Sequence, residues 1–392
     1  MAAETVRSFE ALETQAGKIT SVFINAGHEA VAPSQIQPAG IFLDAVGEML
    51  RARTYVFQDP DGDELCLRPD LTVPTCRLHL ERHEHPDTHA KYCYNGTAFR
   101  FQPEGATAAH PREFRQAGIE TFGLGDAEKA EAETVALILE AVKSAGLKDF
   151  RLRIGDLGLF RAVLNTADMP ERWRQRLFHQ FWRPEAFRAE LTRLTEAPES
   201  GAARLPEKLR KSLDPKNPRQ AEQAVADYLD NEGIPLVGRR SVAEITEHLL
   251  TITSDAQTQP LKPETSELIE NYISVAAPAR AAGARLKDLI RDKDIDISQA
   301  LDVYHRRLQL LTDAGVDVVH ADFSAEFGRT LEYYTGFVFE VVVESLGETS
   351  PIAGGGRYDN LLKMCGAPEN VPAIGAAIHT ERLLSAVTGE PV

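Results

Sequence analysis

The arrangement that most constrains this chain is strand-like sequence in two separated blocks, with a long helical stretch between them. In the first block, 55–58 and 64–68 flank the turn signal Asp59-Pro-Asp-Gly62 and read as a hairpin. A second, looser hairpin is expected from 91–101 and 112–122, because the intervening 102–111 is too polar and too rich in Pro and Gly to continue either strand. Residues 127–145 then turn to Ala, Glu, Leu and Val in a helical pattern. The stretch 165–312 stays helical in character, is punctuated by Pro170, Pro184, Pro198, Pro206, Pro215 and Pro218, and carries its clearest stripe at Leu301, Tyr304, Leu308 and Leu311. Strand signals return at 316–323 and 329–343, followed by the run Gly354-Gly-Gly356 and an apolar helix expected over 375–387. The two strand-rich blocks are therefore expected to share one sheet, giving an α+β organisation of 1–164, a mostly helical insertion 165–312, and 313–392.

Composition narrows the function classes. With 43% hydrophobic residues the chain can fill a sizeable core, and a formal charge of −16 argues against broad affinity for nucleic acid or anionic lipid. The four cysteines, Cys66, Cys76, Cys93 and Cys365, form no C-x-x-C pair, so a reducing cytoplasm without disulfides is expected. The start lacks the basic and apolar regions of a signal peptide. The most apolar runs, 135–142 and 337–343, each contain a glutamate and are far shorter than the about 20 residues a bilayer demands.

The strand 112–122 carries the first candidate chemistry. A period of two puts Arg112, Phe114, Gln116, Gly118 and Glu120 on one face, which reads either as a solvated face or as a pocket floor. In the second reading Glu120 holds a cationic group, Gln116 donates and accepts, and Gly118 lets a ligand approach. Arg100, Arg329 and Arg382 each require an anionic partner or solvent, and together on one sheet they would make an anion site. The glycine run permits close ligand approach or an ordinary bend. His83, His85 and His89 lie in a proline-containing run without a nearby cysteine, so no metal site is assigned. Neither a Gly-x-Ser-x-Gly elbow nor an H-E-x-x-H motif is present, and no covalent nucleophile or cofactor is expected.

Taken in order, these segments resemble the catalytic domain of class II aminoacyl-tRNA synthetases, and within that class the histidyl enzymes. Leu67-Arg-Pro-Asp-Leu-Thr-Val-Pro74 resembles the amino-acid-binding strand end, and Phe99-Arg100 with Arg112–Glu120 resembles motif 2 and the histidine-pocket strand. Arg329-Thr-Leu-Glu-Tyr-Tyr-Thr-Gly336 is similar to the R-G-L-D-Y-Y-T-G signature; Gly354-Gly-Gly-Arg-Tyr-Asp359 and Gly375-Ala-Ala-Ile-His-Thr-Glu-Arg382 resemble the glycine-rich strand and motif 3. The resemblance implies that Asp70 and Thr72 bind the amino group of histidine, with Gln116 near its other end. It further implies that Glu120 and Tyr334 read the imidazole while Tyr333 and Tyr358 line the pocket. Arg100 and Arg382 occupy ATP-phosphate positions, and Arg329 that of the catalytic arginine beside the carboxylate. The implied fold is an antiparallel sheet flanked by helices.

Departures from the synthetase pattern redirect the functional expectation. Gln102 stands where the family has glutamate, which replaces an ionised acceptor by a neutral amide. The motif 2 loop 103–110 lacks basic residues, and Thr330 and Glu332 replace glycine and aspartate. Only ten residues follow Arg382, too few for the anticodon-binding domain of a histidyl-tRNA synthetase, so tRNA charging is not expected. The chain is therefore more similar to the family of ATP phosphoribosyltransferase regulatory subunits, which share the synthetase catalytic domain. That resemblance implies a non-catalytic subunit, with no catalytic residues of its own, that completes a hetero-oligomer with a short catalytic subunit in the first step of histidine biosynthesis. It also implies L-histidine as feedback effector, a homodimer formed through the region 33–51, and neither tRNA nor membrane as partner. The alternative is a synthetase-like enzyme that adenylates histidine or another amino acid for a non-tRNA acceptor. Arg100, Arg329 and Arg382 favour it, whereas Gln102, Thr330 and the altered loop oppose it.

Overall fold

The structure, a computed structural model, describes residues 6–45, 48–107, 110–196, 205–234, 241–291, 293, 295–328 and 333–390. Its strands in chain order are β1 (Glu29–Ala30), β2 (Ile36–Pro38), β3 (Tyr55–Gln58), β4 (Glu64–Leu67), β5 (Ala90–Phe99) and β6 (Glu113–Phe122). They continue as β7 (Arg151–Asp156), β8 (Ala276–Pro278), β9 (Ala321–Ser324), β10 (Phe337–Val342), β11 (Ala353–Arg357) and β12 (Ala373–His379). Among the described residues nine strands form one sheet in the order β1-β5-β6-β12-β11-β10-β7-β9-β8, and β2-β4-β3 form a small second sheet. Both expected hairpins are present: β3 pairs antiparallel with β4, and β5 with β6. The large sheet is mixed rather than antiparallel throughout, because β1 runs parallel to β5 and β7 parallel to β9.

The two strand-rich blocks share this sheet, β6 pairing with β12 and β7 with β10 and β9. Three local expectations need correction. The apolar segment expected as a helix over 375–387 is strand up to His379, and the helix Thr380–Thr388 starts only there. Its Gly-Ala-Ala run is small enough to lie between two neighbouring strands, and the ladders to β6 and β11 satisfy its backbone on both sides. Of 329–343 only β10 is strand, Tyr333–Gly336 being irregular and 329–332 lying outside the described residues; of 316–323 only the last part joins β9. Of the two readings of the β6 face, the solvated one is excluded, because Phe114 and every residue from Gln116 to Phe122 are buried.

Contacts divide the chain into one unit of 1–166 with 270–392 and another of 167–269. The segment 270–312, read from sequence as part of the helical middle, thus falls in the larger unit. Its helix Ser298–Asp313 buries the stripe Leu301, Tyr304, Leu308 and Leu311, and also Arg307. Arg307 bonds Glu131 on the helix Ala127–Ser144 and Asp156 at the end of β7, each at 2.5 Å. All three side chains are at most 4% exposed, so the pairing compensates a desolvation that would otherwise exclude the charges. The smaller unit builds its own core from Trp173, Leu177, Phe181, Phe187, Leu191 and Leu194, with Asp255 accepting 2.7 Å bonds from Trp173 Nε1 and Arg172 Nε. Among the described residues no helix is long and apolar enough to cross a membrane.

Arg307→Ala leaves two buried carboxylates without their cation. It should cost about 3–5 kcal/mol in urea or guanidinium unfolding, whereas removal of the exposed neighbouring Arg306 should leave the unfolding midpoint close to that of the wild type.

Candidate functional site

The site is built on the face of β6 that carries Gln116, Gly118 and Glu120. Glu120 is fully buried, and its carboxylate is held by three hydroxyls. Oε1 accepts from Thr72 Oγ1 at 2.7 Å and from Tyr94 OH at 2.9 Å, and Oε2 accepts from Tyr358 OH. Thr72 opens the helix Thr72–Arg82, Tyr94 lies on β5, and Tyr358 follows β11, so one side chain gathers four segments of the fold. Two glycines make the room. A Cβ on Gly375, directly across the ladder from Glu120, would lie 1.5 Å from Glu120 Oε2; one on Gly118 would lie 2.6 Å from Tyr94 OH. Burial pushes the Glu120 carboxyl up to about 8, against the opposing pull of the hydroxyls of Tyr358, Thr72 and Tyr94.

Beside this cage a small cavity is lined by Asp70, Thr72, Arg100, Gln116, Tyr333 and Tyr334, with Gly354, Gly375 and His379 completing its walls. Asp70 Oδ1 accepts from the Val73 amide at 3.2 Å, but Asp70 Oδ2 and Gln116 Oε1 are buried without a hydrogen-bond partner. Burial raises the Asp70 carboxyl, and the nearby Arg100 guanidinium lowers it. Arg100 Nε donates to the Pro69 carbonyl at 2.8 Å, with its guanidinium 5.0 Å from the centre of the Phe114 ring. Tyr333, Tyr334 and Tyr358 form an aromatic wall with ring centres 4.8 to 6.4 Å apart. Two unsatisfied acceptors, a guanidinium and aromatic walls suit a small ligand with an ammonium group and a planar side chain.

Arg382 lines a second, adjoining cavity with Arg53, Arg100, Gln102 and His110. An Arg382 N–H donates to His110 Nδ1 at 3.0 Å, which requires that nitrogen to be bare. The ring is kept neutral first by burial and then by Arg382, Arg53 and Arg100. Gln102 accepts from Arg53 through Oε1 and donates to the Pro111 carbonyl at 3.0 Å.

Of the residues singled out from sequence, Asp70, Thr72, Arg100, Gln116, Tyr333 and Tyr334 meet at one cavity, Glu120 and Tyr358 adjoin it through Thr72, and Arg382 faces the next. Arg329 lies outside the described residues, as do Thr330 and Glu332. Tyr94, His379, Arg53 and His110 were missed. Tyr94 was findable in principle, because pairing β5 with β6 sets Tyr94 opposite Gly118 and hence on the face of Glu120.

Comparison with known proteins bears on the chain as a whole. Residues 5–233 and 246–383 match the model of the histidyl-tRNA synthetase family. The chain is 32% identical over 360 residues to the ATP phosphoribosyltransferase regulatory subunit of Brucella anthropi, covering 91% of this chain and 92% of that protein. It is 35% identical over 376 residues to the subunit of the same name from Agrobacterium fabrum, covering 94% and 95%. A crystal structure of an ATP phosphoribosyltransferase regulatory subunit/histidyl-tRNA synthetase from Bacillus halodurans C superposes with a TM-score of 0.67 at 21% identity. That superposition covers 99% of this chain and 82% of the other, and at such identity it establishes the fold: a class II, histidyl-tRNA synthetase-like α+β fold with a mixed sheet flanked by helices.

Gly375→Ala should destabilise the protein by about 1–3 kcal/mol or more in thermal or chemical unfolding, because the new methyl and the Glu120 carboxylate claim the same space. A pH series checks the charge state of Glu120. Its folded value near 8 exceeds the ordinary 4.5, so the folded state binds the proton more tightly than the unfolded state. The group's contribution is fully present below the unfolded value, falls as pH rises from about 4.5 to about 8, and is then lost. Glu120→Gln should flatten that fall.

Proposed function

Because the chain belongs to the family of ATP phosphoribosyltransferase regulatory subunits, with a histidyl-tRNA synthetase-like domain across most of its length, we propose that it serves as the regulatory subunit of that enzyme. In this reading it performs no phosphoribosyl transfer itself. It assembles with a short catalytic subunit, as a homodimer within a larger hetero-oligomer, and carries L-histidine as the feedback effector of the first step of histidine biosynthesis. The effector, the stoichiometry and the helical insertion are part of the same proposal.

The observation that carries the effector assignment is the pair of buried, unsatisfied acceptors Asp70 Oδ2 and Gln116 Oε1 at one cavity. With Thr72 they would take the three N–H donors of an α-ammonium group. Glu120 has two of its lone-pair positions on Oε1 and one on Oε2 filled by hydroxyls, which leaves capacity for one imidazole N–H. Tyr334 would share that recognition, Tyr333 and Tyr358 would flank the ring, and Arg100 and Arg329 would attract the carboxylate. A ligand held this way draws β6, β11, β12 and the start of the helix Thr72–Arg82 together, and needs only to favour one arrangement of the complex to regulate it. Differential binding of about 1–3 kcal/mol is typical of such coupling.

Arg100 and Arg382 are, on this reading, vestigial ATP-phosphate positions. In support, the His110 ring is bonded to Arg382 and the Gln102 amide to Arg53, so polar groups of this chain already engage the cations of that cavity.

The test is phosphoribosyl-ATP formation by the short catalytic subunit of the same organism, with and without this chain. Strong activation, reversed by histidine, is expected; no activation would sink the proposal. Above about pH 8, where Glu120 is ionised, Glu120→Gln should bind histidine about 10- to 100-fold more weakly by calorimetry, the loss expected for a charge-assisted hydrogen bond, while still activating the catalytic subunit. Histidine-dependent ATP/pyrophosphate exchange would instead establish an adenylating enzyme.

A further inference from the structure

The reverse face of β6 holds a further cavity, distinct from the two already described. Alternation turns Ile119 and Thr121 away from Gln116 and Glu120, and there a space of about 570 Å³ opens between the sheet and the helix Ala127–Ser144. His28 lines it, just beyond the helix Val6–Asn25. His28 is buried, at 7% exposure, its amide donates to the Phe23 carbonyl at 3.1 Å, and neither ring nitrogen has a hydrogen-bond partner among the described residues. Burial first, and then the charge of Lys91, lower its pKa to about 4, so the ring presents one N–H and one bare nitrogen.

Lys91 supplies the charge of this cavity. It lies across the ladder from Thr121, which adds a hydroxyl, and has no ion-pair partner among the described residues. Three carboxylates line the same space: Asp126 caps the helix and pairs with Arg306, Glu133 pairs with Lys129 at 3.8 Å, and Glu140 is exposed to solvent. The first turn of the helix Ala127–Ser144 adds the positive end of its dipole.

We propose that this cavity binds an inorganic hydrogen phosphate ion between His28, Lys91 and Thr121. A carboxylate offers only acceptors, whereas a hydrogen phosphate carries acceptor oxygens and an O–H, and so matches an imidazole that needs both kinds of partner. Lys91 supplies the counter-charge. The site does not rest on the regulatory reading, but it stands back to back with the Glu120 cage, one strand away, so occupancy of either face bears on β6.

The test is a titration of the full chain with inorganic phosphate at constant ionic strength, followed by the ring-nitrogen resonances of His28, identified by their loss in His28→Gln. A saturable shift is expected in the wild type, weakened at least tenfold in Lys91→Met, while the same concentrations of acetate leave the resonances unmoved. Should His28→Gln fail to fold, calorimetry of phosphate binding to wild type and Lys91→Met gives the same comparison. Lack of a saturable response, or equal affinity in Lys91→Met, would overturn the site; an equal response to acetate would overturn its phosphate selectivity.

Discussion

A carboxylate with no exposure to water has to be surrounded by donors or lose its charge, and Glu120 sets this demand at the centre of the sheet. Three hydroxyls answer it, from a helix start, a neighbouring strand and the segment after β11. Gly375 is bare because the carboxylate occupies the space of a side chain there, and Gly118 is bare because Tyr94 crosses it. The cavity beside the cage inherits its walls from the same residues, so packing and ligand recognition share one set of atoms.

The general plan was legible in sequence because it rests on short-range patterns. Turn residues marked the hairpins β3-β4 and β5-β6, and the period of Leu301, Tyr304, Leu308 and Leu311 marked a buried helix face. What the patterns could not supply was set by partners remote in sequence. The small-residue run of β12 has the composition of a helix and becomes a strand because β6 and β11 accept it on either side. The helix Ser298–Asp313 looks like those of the smaller unit, yet its Arg307 belongs to Glu131 and Asp156.

The candidate site was legible through ordered motifs rather than through any single residue. Asp70, Thr72, Gln116 and Glu120 are spread along the first block, Tyr333, Tyr334 and Tyr358 along the second, and pairing of strands remote in sequence, β6 with β12 and β7 with β10, joins the two. Tyr94 was hidden because its role needs a strand register, and His110 because it lies in a loop whose composition signals only a connection. The orphaned acceptors on Asp70 and Gln116 are a property of three-dimensional surroundings, with no counterpart in the order of residues.

The Glu120 cage also has a timetable. Tyr358 stands 238 positions after Glu120, and β12, which covers the adjoining edge of β6, comes later still. At roughly 5–20 residues per second of synthesis, Glu120 waits on the order of 12 to 48 seconds for its last donor. Throughout that interval the edge of β6 is open to pairing with other chains, while 167–269, a compact unit by itself, has already been synthesised. The growing chain thus carries its most exacting polar residue on its most exposed strand, which makes this stretch the natural client of whatever shields nascent chains from one another.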